Sequence, residues 1–209
     1  MPTLTGLAPD PRQSDYRLVE VDRGRFASLP ADAVAALGLT VGVELWPAML
    51  DRLRALADIE AAQRAALRAL ARRAHARRDL ERRLVRKQHP PAAVDAALER
   101  LAARGLLDDR RFAERYATLR AVRGRGPARL VRDLLAQGVE RRTAEEAVRQ
   151  ALDEEGIDPG LEARAVAVKR AGQLGGLPVP VRKRRLLAFL VRRGYPGPEV
   201  KDLVEELCG

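Results

Sequence analysis

The stretch "LVRDLLAQGVERRTAEEAVRQA" (Leu130–Ala151) decides the fold, because two other parts of the chain can be laid beneath it. These are "LERRLVRKQHPPAAVDAALERL" from Leu80 and "LLAFLVRRGYPGPEVKDLVEEL" from Leu186, displaced by 50 and 56 residues. Apolar positions coincide in the three copies: Leu80, Leu130 and Leu186; Leu84, Leu134 and Leu190; Val94, Ala144 and Val200; Leu98, Val148 and Val204. Self-similarity at this period marks a helical repeat. Each copy is preceded by a further helical stretch, "AALRALARRA", "RFAERYATLRAV" and "LEARAVAVKRAG". Three helices therefore make a unit, and about three units run in tandem. A unit of this size cannot bury its apolar face alone, so its neighbours are expected to stack into an elongated, curved body.

Outward from the repeats, Pro/Gly punctuation marks the helix ends: "HPP" (89–91), "RGLLDD" (104–109), "RGRGP" (123–127), "QGV" (137–139), "EEGIDPG" (154–160), "GGLPVP" (175–180) and "RGYPGP" (193–198). Towards the N-terminus the pattern changes. "YRLVEV" (16–21) alternates apolar and polar residues, "DRGR" follows as a turn and "FASL" resumes, which predicts a β-hairpin. "PADAVAALG" (30–38) has Pro at its start and Gly at its end, a short helix, and "VGVEL" (41–45) is expected as a third short strand. From Trp46-Pro47 onward the spacing is helical. The predicted organisation is an N-terminal β-containing segment at 1–46 and helical repeats at 47–106, 107–155 and 156–209, a mainly α chain.

Composition narrows the function. The 209 residues carry 39 Lys+Arg and 29 Asp+Glu, a formal charge of +10, and the basic residues are overwhelmingly Arg. Residues 1–60 hold 6 basic and 9 acidic side chains, leaving 33 and 20 for the remainder. The excess positive charge thus belongs to the repeats, and Arg suits bidentate contacts with phosphate or carboxylate, so an acidic partner is expected. The only cysteine, Cys208, has no partner for a disulfide or thiolate cluster, which fits a reducing cytoplasm. No basic segment followed by an apolar run opens the chain, and no stretch approaches the ~20 apolar residues that cross a bilayer, so neither export nor embedding is expected.

Candidate catalytic groups reduce to structure. Asp108 and Asp109 in "RGLLDDRRFAERY" (104–116) stand where a helix begins, and an Asp there caps orphan N–H groups and favours the positive helix end, contributing ~1 kcal/mol. No His or third carboxylate sits at ligand spacing beside them. His75 and His89 lie outside any HExxH pattern and are read as solvated or helix-end histidines. Ser14 and Ser28 have no GxSxG context, and "RGRGP" lacks the Lys-Ser/Thr of a phosphate loop. No catalytic residue, metal ligand or cofactor is assigned.

Arginine carries the remaining signal. Ten basic residues fall between Arg64 and Lys87 against Asp79 and Glu81, a local net charge of +8. Arg64, Arg68 and Arg72 are four apart on one helix face, where they repel unless an anion compensates. The first candidate patch comprises Arg68, Arg72, Arg73, Arg77, Arg78 and Arg82. A second comprises Arg120, Arg123, Arg125, Arg129 and Arg132, and a third Arg182, Lys183, Arg184 and Arg185, continued by Arg192 and Arg193. Aromatic residues are only 3% of the chain, which argues for backbone contacts or an acidic protein surface over a base-stacking platform.

These motifs together resemble the RecX family, bacterial modulators of the RecA recombinase. "LRALARRAHARRDLERRL" (67–84) is similar to the family's first-repeat helices. "LLDDRRFAERY" (106–116) with "RGRGPARLVRDLLAQGV" (123–139) is similar to its core, and "VRKRRLLAFLVRRGY" (181–195) to its third repeat. "YRLVEVD", "RFASLP" and "LGLTVGVEL" resemble the β-containing extension of some members. Leu107, Asp108, Asp109, Phe112, Gly126, Pro127, Leu130 and Leu134 match the core pattern. "HARRDLERRL" departs from it, with an Arg pair where a polar helix cap is usual. The resemblance implies no catalysis, binding in the groove of the RecA filament on DNA, and suppression of ATP hydrolysis, strand exchange and co-protease activity in recombination and the SOS response. Its implied partners are the RecA filament and single- or double-stranded DNA, contacted through the three basic patches by a cytoplasmic monomer. The competing class is a sequence-nonspecific DNA-binding helical protein of the nucleoid.

Overall fold

The computed structural model describes residues 1–209. The alternation in "YRLVEV" becomes the middle strand of an antiparallel sheet ordered β1 (Leu4–Asp10), β2 (Gln13–Val21) and β3 (Gly24–Pro30). Asp22 and Arg23, at φ 51° and 63°, make the β2–β3 turn. Two positive φ values in succession match the right-handed twist of the flanking strands. β1 holds this turn in place: the Thr3 N–H donates to Asp22 Oδ1 at 2.8 Å, and the Arg23 N–H to Thr5 Oγ1 at 2.8 Å.

Two sequence expectations need correction here. The sequence does not mark β1, because "LTGLAPD" contains a Gly and a Pro; it is an edge strand, where a Pro without an N–H is tolerated. Residues 41–45 do not form a strand. They contribute one isolated bridge, Thr3 to Glu44, with Leu45 N–H donating to the Pro2 carbonyl at 2.7 Å. Gly42 at φ 94° interrupts the extended path, and Leu45 is anchored in the core without a ladder.

The short helix is α1 (Ala31–Ala36). Nine more follow as three triplets: α2 (Pro47–Leu70), α3 (Arg77–Arg86) and α4 (Pro91–Ala103); α5 (Asp109–Ala121), α6 (Pro127–Gln137) and α7 (Arg141–Glu154); α8 (Pro159–Gln173), α9 (Val179–Arg193) and α10 (Pro198–Cys208). Pro at the first turn starts α2, α4, α6, α8, α9 and α10, where its missing N–H has no intrahelical partner to lose.

The chain divides into two compact units, one formed by Met1–Ala74 with Leu80–Leu107 and the other by His75–Asp79 with Asp108–Gly209. In the first, Leu4, Val19, Leu29, Val34 and Leu45 close a core with Met49 and Leu53 from the opening turns of α2. Later turns of α2 supply Ala62, Ala65, Ala66 and Ala69 to a second core with Leu80, Leu84, Val94, Leu98 and Leu101. One helix thus serves both the β segment and the first repeat. Glu60, on α2 and 1% exposed, accepts from Tyr16 Oη at 2.9 Å and from Arg100 at 2.8 Å.

In the second unit, Leu130, Leu134, Ala144 and Val148 pack with Phe112 and Ala117, while Leu186, Leu190, Val200 and Val204 pack with Ala163 and Ala167. All twelve aligned repeat positions are buried. Within the second unit, glycines at helix ends permit close approach of neighbouring segments. Gly138 ends α6 at φ 90°, and a Cβ there would lie 2.3 Å from Arg78 Cβ; Gly194 ends α9 at φ 101°, and a Cβ there would lie 2.4 Å from Arg129 N. Gly126 N–H donates to the Arg193 carbonyl at 2.9 Å, and Ala128 N–H to that of Gly194 at 3.2 Å. The aligned residue of the first repeat is Gln88, exposed at φ 66°. The β segment precedes that repeat, and the exposed Gln88 carries its Cβ at positive φ.

Candidate functional site

The two carboxylates of "LLDDRRF" act on helix ends. Asp108 is the N-cap of α5 and accepts from the Arg111 N–H at 3.0 Å. Asp109 reaches instead to α3, accepting from the Arg77 N–H at 2.7 Å. The polar cap absent from "HARRDLERRL" is therefore supplied from 32 residues further along the chain. His75 is a helix-end residue, as expected, but it is 4% exposed and not solvated: Nδ1 pairs with Asp79 Oδ2 at 2.7 Å. The neighbouring Ala76 enters the second-repeat core, which pulls this segment inward.

Folding sorts the predicted basic residues into two kinds. In the first patch Arg68, Arg72 and Arg73 are exposed at the end of α2, whereas Arg64 is half-buried and donates at 3.5 Å to the Ser28 carbonyl. Arg78 and Arg82 are exposed on α3, Arg77 half-buried. In the second patch Asp133 gathers the cations. It lies 2.8 Å from both Arg125 and Arg129 and accepts from Tyr116 Oη at 3.3 Å, while the Arg120 guanidinium sits 4.0 Å above the Tyr116 ring. Burial, then the Asp133 charge, pushes the Tyr116 phenol above its ordinary range. Arg123 and Arg132 remain exposed with no ion pair.

The third patch divides in the same way. Arg182 donates to the Cys208 carbonyl at 2.6 Å and Lys183 pairs with Glu205, so both fasten α9 to α10. Arg193 donates to the Gly124 carbonyl at 2.7 Å, while Arg184, Arg185 and Arg192 stand exposed without ion pairs. Every repeat therefore presents exposed arginines. A guanidinium without an internal carboxylate retains its full donor fork for an external phosphate or carboxylate.

Where the second and third repeats meet, a cleft of about 530 Å³ brings Arg123 and Arg193 together with Lys169, Arg170 and Phe189. Those last three were not singled out from the sequence. The available signal was the adjacent Lys169-Arg170 pair near the end of α8, facing an α9 that carries one of the chain's three phenylalanines. Nowhere do three or more His, Cys, Asp or Glu side chains converge as metal ligands would. No helix is long and apolar enough to cross a membrane.

Comparison with known proteins gives a consistent family. Models of the first, second and third three-helix domains of RecX match residues 62–101, 108–148 and 162–204. Regulatory protein RecX of Halorhodospira halophila is 41% identical over 143 residues, covering 68% of this chain and 85% of the relative. That of Thermobifida fusca is 38% identical over 123 residues, 57% of this chain and 64% of the relative. Among solved structures, a crystal structure of regulatory protein RecX superposes with a TM-score of 0.73 at 16% identity, over 99% of this chain and 100% of the other. RecX from Lactobacillus salivarius gives 0.58 at 20% identity, over 72% and 96%.

Proposed function

The chain belongs to the RecX family, and from that premise we propose that it is a non-enzymatic regulator that binds the RecA–DNA filament and restrains RecA's ATP hydrolysis, strand exchange and co-protease activity. The observation that carries the proposal is the match of all three RecX domains in order along one chain. The chemistry available is compatible with it. Arg68 and Arg72 in the first repeat, Arg123 and Arg132 in the second, and Arg184, Arg185 and Arg192 in the third are exposed and free of internal ion pairs. Such groups form bidentate bonds with the phosphates of a nucleoprotein filament or with carboxylates on its protein. Contacts from three linked repeats reinforce one another, because each one formed raises the effective concentration of the next. Inhibition of this kind is steric and electrostatic and needs no covalent step.

The test is RecA's DNA-dependent ATP hydrolysis with this protein titrated in, beside its binding to the same DNA without RecA. Inhibition well below one protein per RecA, with weak binding to free DNA, is the expected result. Salt-sensitive DNA binding without inhibition would favour the nucleoid reading, in which affinity falls with a log–log salt slope of about −0.9 per duplex phosphate neutralised.

A further inference from the structure

Four cationic side chains and one aromatic ring line the cleft between the second and third repeats. The Arg170 and Arg193 guanidinium carbons each lie 5.5 Å from the Phe189 ring centroid. Arg123 and Lys169 extend the cationic wall, and Glu162 is the sole carboxylate lining it. Arg193 is committed, through its bond to the Gly124 carbonyl. Arg123 and Lys169 are exposed without an ion pair, and Arg170 leaves its Nε–H buried without an acceptor. Like charges at this density repel unless an anion enters. The remaining lining is mixed: Gln173, which accepts from Arg170 at 2.7 Å, and Gly124 stand beside an apolar part made of Val122, Val166 and the Phe189 ring.

We infer that this cleft is a nucleotide subsite. A ligand suited to it carries concentrated negative charge on one side and a flat, apolar body on the other. Phosphate oxygens would meet Arg123 and Lys169, and a base would lie against Val166 and Phe189. The volume falls in the range of small-ligand sites, roughly 300 to 1,000 Å³. An acidic peptide would satisfy the cations, but its carboxylates by themselves leave the apolar wall unfilled, whereas every nucleotide carries phosphate and a flat base together. The nucleotide could belong to a single DNA strand or be free in solution. The inference deepens the proposed filament regulation by naming a nucleic-acid contact, and its test omits RecA so that the two can fail separately.

The experiment is fluorescence anisotropy of a short fluorescein-labelled oligo(dT) titrated with the full chain. Lys169→Glu is expected to weaken binding about tenfold and to flatten its salt dependence. Phe189→Leu is expected to weaken it about fivefold or more, through lost base stacking. Arg115→Glu, an exposed charge reversal outside the cleft, should change it less than about twofold if binding is local. Displacement of the oligonucleotide by dTMP would mark a site for free nucleotides, and displacement only by unlabelled oligo(dT) would mark a strand site; either supports the cleft. Equal losses for Lys169→Glu and Arg115→Glu, full affinity in a folded Phe189→Leu, displacement by polyglutamate as effective as by oligo(dT), or no binding by the unaltered chain would overturn it. Lys169 is exposed, so its variant remains informative even if Phe189→Leu misfolds.

Discussion

Gly138→Ala tests whether the glycine at the end of α6 is needed for its backbone shape alone or for the close approach of Arg78. Two costs add. At φ 90° an L residue is strained, by roughly 1 to 2 kcal/mol. The new Cβ would also lie 2.3 Å from Arg78 Cβ, an atom fixed to the first turn of α3 that cannot swing away as a side-chain tip would. Overpacking of that kind costs ~1 to 3 kcal/mol. Gly105→Ala separates the two, because Gly105 has φ 67° and nothing within 4 Å of its ideal Cβ. Both substitutions reduce the freedom of the unfolded chain equally, so that contribution cancels in the comparison. The expected difference is ~1 to 3 kcal/mol, or about 2 to 12 °C in melting midpoint for a chain of this size. Thermal unfolding followed by circular dichroism measures it. Equal midpoints for the two variants would refute the close-approach argument, leaving Gly138 as a helix terminator only.

Leu134 is fully buried at an aligned repeat position, and Leu134→Ala is expected to cost ~2 to 5 kcal/mol in denaturant unfolding; an unchanged midpoint would remove it from the core. Burial, followed by its bond to Glu60, pushes the Tyr16 phenol up to about 12. The folded chain keeps a proton that the unfolded chain loses near pH ~10, so stability is to fall as pH rises from about 10 to about 12. Phenolate absorbance already half-developed near pH ~10 in the folded protein would contradict that assignment. Replacing exposed Arg68, Arg72 and Arg73 together by Glu is expected to weaken inhibition of RecA about tenfold or more while circular dichroism stays unchanged; full inhibition by the triple variant would exclude this patch.

Much of this protein is written in local sequence. The repeat period, the helix ends at Pro and Gly, the capping role of Asp108 and the positive charge of the repeats each depend on residues within a turn or two of one another, or on composition alone. The aligned leucines needed no tertiary information, because a position buried in one repeat is buried in its copies. The β segment was less legible. β1 carries turn-like residues that an edge strand tolerates, and Leu45 is buried although its segment forms no strand.

Which arginines face outward was decided only by the packing of helices. Arg125 and Arg129 look like a patch in sequence, yet both turn to Asp133, and Arg182 and Lys183 are occupied by α10, 22 to 26 residues away. The cap on α3 comes from Asp109, His75 is drawn inward with Ala76, and Lys169 and Arg170 meet Phe189 through the pairing of α8 with α9. Helical periodicity is set by neighbours three or four residues apart, so sequence determines it. Ion pairs and clefts are set by which elements are brought side by side, and that is a property of the folded chain.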